Sequence, residues 1–175
     1  MSDPRYPIGK LEYTTPGNDA SRAGWIQTIA EAPARLREAL RGLSPAQIET
    51  PYREGGWTLR QVTHHLPESH MNGYVRFKLA LTEDGPTIKP YDEARWSETA
   101  DVPAAPIETS LALLDALHER WAILLRAMRG GDWDRKYVHP EYGKTFTLDH
   151  ALALYEWHSR HHVAHVTSLR ASKGW

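Results

Sequence analysis

Four long stretches in which apolar residues recur every three or four positions, with almost nothing alternating at period two, constrain this chain most. The first, about Ser21 to Leu43, sets Trp25, Ile29, Leu36 and Leu40 on one stripe. Pro33 removes a backbone donor there and should kink or restart the helix, and Gly42 marks its end. Ser44-Pro45-Ala46-Gln47 reads as a short capped turn, with proline at the first helical position and Gln47 closing the box. Thr58 and Gln61 form a second capping box, and Trp57 and Val62 are spaced as a hydrophobic staple. That start opens a helix to about Leu81, in which Pro67 forfeits one hydrogen bond. The third stretch, about Ile107 to Arg129, carries Leu111, Leu114, Leu117, Trp121, Leu124, Leu125 and Met128 before Gly130-Gly131. Thr147 caps the fourth, which continues to about Ser172 and Gly174.

The connections differ in character. Glu83 to Pro106 holds four prolines and the aromatics Tyr91 and Trp96, and a loop this long beside aromatics reads as a lid over a site. Tyr137 to Phe146, with Pro140 and Gly143 at its centre, reads as a small hairpin or compact loop. No repeat is visible. The expected fold is therefore all-α, an antiparallel four-helix bundle with a long irregular loop and a small β-hairpin, formed by residues 1–175 as one domain. At 175 residues such a domain buries roughly 70% of its unfolded surface, enough for a core without crosslinks.

Charge and composition exclude several functions. Twenty-one basic and twenty-two acidic residues leave a net charge of −1 with no basic stripe, so nucleic acid is not an expected partner. No run approaches the 18 or so apolar residues of a membrane span, and the N-terminus lacks the apolar region of a secretory signal. A cytoplasmic location is expected. Cysteine is absent, which removes disulfides, thiolate ligands and a catalytic thiol of the chain's own.

The chemistry gathers around histidine. His158 and His162 stand four apart in the fourth helix, so their Cβ atoms lie roughly 5 to 6 Å apart on one face, close enough to grip one ion. With ten histidines in 175 residues, about half such a pair arises by chance, so a third ligand is needed. The His64-His65 pair of the second helix supplies the candidate, His65, and facing helices of a bundle bring such side chains together. Three imidazoles leave an open position, which is characteristic of catalytic zinc. Nickel, iron or cobalt accept the same donors.

The run Gly56-Trp57-Thr58-Leu59-Arg60-Gln61-Val62-Thr63-His64-His65-Leu66, followed by Ser69-His70-Met71-Asn72 and by Trp157-His158 through His165, resembles the YfiT-like branch of the DinB superfamily. Arg5-Tyr6-Pro7-Ile8-Gly9 and Arg76 through Glu83 extend the resemblance over nearly the whole chain, with Pro67 as a departure. The resemblance implies a four-helix bundle and a homodimer. It also implies one divalent ion, zinc before nickel, on His65, His158 and His162, and a metal-dependent hydrolase. Relatives that move a low-molecular-weight thiol such as bacillithiol onto electrophiles supply an alternative, a thiol S-transferase. A non-catalytic metal- or ligand-binding stress protein is the second alternative.

Around these ligands, Ser69, Asn72 and Arg76 follow His65 along one polar face and are expected to line the pocket. Arg76 suits an anionic group of a small-molecule substrate or thiol cosubstrate. His165, three after His162, can act as an outer donor or proton carrier, whereas His161 sits about 100° around the helix from His162. Glu68 and Glu156 are the nearest candidate bases in sequence. A bound ion lowers the pKa of water from 15.7 to about 7, which is the hydrolase reading. Ser159 follows His158 where a His-Glu-x-x-His protease would place its glutamate, so a metalloprotease is not expected.

Overall fold

The computed structural model describes residues 3–175; Met1 and Ser2, the start of the segment without an apolar region, lie outside the described residues. In chain order the elements are α1 (Asp19–Leu40), the one-turn α2 (Pro45–Ile48), α3 (Leu59–Thr82), two further one-turn helices α4 (Glu93–Trp96) and α5 (Asp101–Ala104), α6 (Ile107–Ala127), strands β1 (Lys136–His139) and β2 (Lys144–Thr147), and α7 (Leu148–Lys173). The helices start where side chains can satisfy their first amide groups. Thr58 Oγ1 accepts from Gln61 N at 3.2 Å while Gln61 Oε1 accepts from Thr58 N at 2.9 Å, and Ser44 and Gln47 repeat the box. Thr147 Oγ1 accepts from His150 N at 3.1 Å at the head of α7.

Three boundaries differ from the sequence expectation. Helix α1 begins at Asp19, because Asn18 accepts from Ser21 N at 2.9 Å and caps the helix earlier than Ser21. It does not restart at Pro33, which lies buried inside one continuous helix. The missing proline N–H affects a single acceptor, the Ile29 carbonyl four residues earlier, and that oxygen is bonded from another helix. At the other end, α6 stops at Ala127, before the glycines, and Gly130 with φ 41° opens a 3-10 turn over Gly130–Asp134.

Helix α1 packs against α6 and α7, and α3 packs against the same two, so the four long helices form a bundle with α1 and α3 at opposite corners. Two apolar clusters fill it. One contains Ile29, Phe77, Trp121, Leu125, Leu152 and Tyr155, and the other Leu36, Leu66, Leu114 and Val166. Along each long helix a polar or proline position falls between the clusters: Pro33 on α1, His70 on α3, His118 on α6, and His158 and His162 on α7, with His65 at the edge of the second cluster beside Leu66. The functional layer is thus sandwiched between two apolar ones.

The hairpin pairs Lys136 with Thr147 and His139 with Lys144 in antiparallel register, turning at Gly143 with φ 59°. The segment between α3 and α6 is tied to it: Ile88 N donates to Val138 O at 3.0 Å and Val138 N donates to Pro86 O at 2.9 Å. Among the described residues no helix is long and apolar enough to cross a membrane.

The N-terminal segment is anchored by one carboxylate. Asp149, 2% exposed in the first turn of α7, accepts from Tyr13 Oη at 2.7 Å, Gly17 N at 2.8 Å and Arg22 Nε at 2.5 Å. Burial alone raises its pKa, but these partners outweigh burial and hold the carboxyl below its ordinary 3.8. A depressed folded-state pKa contributes stability that is complete above the unfolded value of about 3.9 and is lost as pH falls through the folded value. Asp149→Asn should therefore cost about 1–3 kcal/mol at pH 7. It should also flatten the loss of stability below about pH 4 that the parent chain shows, as read by urea unfolding across pH. An unchanged acid limb would remove Asp149 from this role.

Candidate metal centre

Helices α3 and α7 touch along the bundle and bring His65, His158 and His162 together, with their ligating nitrogens all within 4.8 Å of one another. On α7 the i, i+4 spacing sets His158 Nε2 3.1 Å from His162 Nε2. From α3, His65 Nε2 lies 3.4 Å from His158 Nε2. Tetrahedral ligands held at the usual 2.0 to 2.1 Å from zinc stand about 3.3 Å apart, so these spacings fit a shared ion.

The electrostatics agree with that geometry. Burial drives His65 down to about 4 and puts His158 and His162 well below 6.5, with neighbouring imidazoles adding to the effect on the last two. Neutral rings at neutral pH present lone pairs, the form that binds metals. The donor set, three nitrogens and no thiolate, suits zinc or another divalent ion that accepts imidazole.

Each ring has a different backing. His65 leans on Trp57 at a centroid distance of 4.7 Å, and its Nδ1 is buried with no hydrogen-bond partner. His162 Nδ1 lies 3.4 Å from His165 Nδ1; His165 is stacked under Tyr52, and its Nε2 is 3.4 Å from the Arg5 carbonyl. His158 Nδ1 lies 3.0 Å from His70 Nε2, and His70 Nδ1 lies 2.8 Å from His118 Nε2.

The three rings open onto a cavity of about 320 Å³ whose walls are largely aromatic, including Tyr91, Tyr137, Phe146 and Tyr155. Tyr91 and Glu93 come from the long segment between α3 and α6, so that segment does form one side of the site. Arg76 is the one Lys or Arg in the lining; its Nη1 donates to Tyr155 Oη at 3.3 Å, and no carboxylate lies within ion-pair distance among the described residues. Ser69 also faces the cavity.

Other sequence candidates stand elsewhere. Asn72 lies outside the lining and donates to the Glu68 carbonyl at 2.9 Å. Glu68 is likewise outside it, half-buried, with its pKa raised by burial and then by Asp101. Glu156 is engaged by Arg160 through bonds of 2.6 and 2.9 Å. His161 lines the cavity from a stack on Trp157, and its Nδ1 has no partner. Sequence reasoning gave His70 no role and passed over His118, which sits four after Leu114 and three before Trp121 in the apolar stripe of α6. A lone imidazole within such a stripe must find a hydrogen-bond partner, and that was the available signal.

The model of the DinB superfamily matches residues 28–166, most of the bundle and all three candidate ligand positions. The chain belongs to the DinB superfamily. Within it, the chain is 48% identical over 170 residues to the "Putative metal-dependent hydrolase YfiT" of Bacillus subtilis (strain 168), covering 97% of this chain and 96% of that protein. It is 50% identical over 175 residues to a protein of Bacillus cereus (strain ATCC 14579) with the same descriptive name, covering 100% of both. The solved structure of YfiT from Bacillus subtilis, described as a probable metal-dependent hydrolase with an unusual four-helix bundle topology, superposes with a TM-score of 0.96 over 98% of each chain at 48% identity.

One glycine lets this DinB-superfamily site close. A Cβ built on Gly73 of α3 would stand 2.8 Å from Trp121 Cη2 and nearer still to the Tyr155 ring, which is buried and forms part of the cavity wall. Gly73→Ala should displace Tyr155 and cost about 1–3 kcal/mol through overpacking. Urea unfolding tests this, and an unchanged midpoint would show that the rings move aside freely.

Proposed function

We propose that the chain is a metal-dependent hydrolase of small molecules, with one divalent ion held by His65, His158 and His162. The supporting observation is the convergence of three neutral Nε2 atoms on one point at the wall of an aromatic cavity. When bound, a divalent ion lowers the pKa of water to about 7 and polarises a carbonyl or phosphoryl oxygen.

The chain's own residues do the rest. The aromatic walls exclude water from an apolar part of the substrate, and Tyr91 closes the side formed by the long segment. Arg76, lacking an acidic partner, anchors an anionic group and thereby orients the substrate. His165 braces His162 from the side away from the cavity. Glu156 is held by Arg160 and Glu68 stands outside the lining, so neither is assigned as a base.

Purified protein should contain one divalent ion per chain by elemental analysis, and the His65→Ala, His158→Ala double variant should contain almost none. Full metal content in that variant would place the ion elsewhere. Loaded protein should hydrolyse model esters. If it instead conjugates an added thiol to monochlorobimane without hydrolysing esters, the S-transferase reading replaces this one.

Chelation should abolish turnover while the helical circular dichroism persists, because two apolar clusters hold the bundle independently of the site. The melting temperature should fall only by the binding contribution, RT ln(1 + [L]/Kd). Unfolding at room temperature on chelation would make the ion structural. Full turnover after chelation would make it a bystander.

A further inference from the structure

His158 is backed by a line of imidazoles that crosses the whole bundle. Its Nδ1 lies 3.0 Å from His70 Nε2, His70 Nδ1 lies 2.8 Å from His118 Nε2, and His118 Nδ1 lies 2.5 Å from the Ile29 carbonyl oxygen. Each member stands on a different long helix: α7, α3, α6 and α1 in turn. The His70 and His118 rings are within 9° of parallel at a centroid distance of 4.8 Å. The nitrogen separation of 2.8 Å is shorter than a face-to-face ring contact allows, so the two rings meet through these nitrogens at hydrogen-bond distance. His70 is 0% and His118 1% exposed, and Trp121 and Tyr155 stand edge-on to His70.

The line has a direction, and its far end sets it. The Ile29 oxygen is a carbonyl and can only accept, so His118 Nδ1 must donate. It is available because residue 33, whose N–H would ordinarily bond it within α1, is a proline. Both rings are buried with only imidazole and carbonyl partners and no carboxylate to balance a charge, so each is neutral, and a neutral imidazole carries one N–H. His118 Nε2 is then an acceptor, which makes His70 Nδ1 a donor; His70 Nε2 is in turn an acceptor, which makes His158 Nδ1 a donor. The one remaining position, His158 Nε2, carries a bare lone pair and faces His65 and His162.

We infer that His70 and His118 are positioning residues that lock His158 in the Nδ1–H tautomer, so that the Ile29 carbonyl, freed by Pro33, fixes the metal-facing lone pair from the opposite side of the bundle. Free histidine in water favours the Nε2–H form, which would aim a proton at the ion, so a ligand without this backing must change tautomer before binding. The inference rests on the three-histidine metal reading for its purpose. The tautomers themselves belong to the metal-free protein and are tested there.

The first measurement is a long-range proton–nitrogen correlation spectrum of metal-free protein labelled with 15N-histidine at pH 7. His70, His118 and His158 should all show the Nδ1–H pattern; an Nε2–H pattern at any of them overturns the inference. The second is zinc affinity by chelator competition, with melting temperature measured in parallel. His70→Leu and His118→Leu should weaken zinc binding by roughly 10- to 100-fold. His118→Gln restores an acceptor for His70 and should recover part of that loss. Leu125→Ala, a core truncation outside the line, should lower the melting temperature and leave zinc affinity nearly unchanged.

Equal losses of affinity in Leu125→Ala and the histidine variants would show only loosened packing and would overturn the positioning role. If a leucine variant does not fold, the spectrum of the parent protein still decides. If the parent protein binds no zinc while its tautomers are as expected, the proposed metal function fails and the line stands.

Discussion

A buried imidazole has to be hydrogen-bonded or metal-bound, and eight of the ten histidines here are buried. The layer between the two apolar clusters follows from that requirement. His158, His70 and His118 satisfy one another in series and end on a backbone oxygen, and His162 leans on His165. What is left over is a set of Nε2 atoms with no protein partner, all facing one point. The proposed metal site is thus a place where this polar layer is left unsatisfied, as it also is at His65 Nδ1 and His161 Nδ1, and a cavity opens beside it.

Much of this was legible in the sequence because it depends on local rules. The Thr58 and Ser44 boxes, the Thr147 cap and the Pro140 to Gly143 turn fix where elements begin and reverse, and each is complete within four or five residues. His158 and His162 were readable as a pair because helical periodicity alone sets them on one face, the second helix offered His65 as the third candidate, and the family resemblance implied the same set. The remaining features depend on partners far away in the chain. Pro33 is a helix breaker by local rule, yet α1 passes through it because His118, 89 residues beyond Ile29, takes the Ile29 carbonyl that Pro33 orphans. Asn72 and Arg76 share a helix and a polar face, but only Arg76 reaches the cavity. Nothing within α3 distinguishes the two.

The long segment between α3 and α6 illustrates the same division. Its length and aromatics pointed to a wall of the site, and Tyr91 is in that wall. The one-turn helices Glu93–Trp96 and Asp101–Ala104 were not foreseen. Each is too short for apolar periodicity to appear, and their packing against α3 holds them in place.

The placement of two of the three proposed ligands on α7, the last helix, has a consequence for the order in which the protein is made. His65 is synthesised early and His158 and His162 only near the C-terminus, so a growing chain holds one of the three proposed ligands for most of its synthesis. The Ile29, His118 and His70 portion of the line can assemble when α1, α3 and α6 meet, before α7 docks. On this geometry the arriving helix meets a preset acceptor for His158, and the proposed site is complete only once α7 has docked.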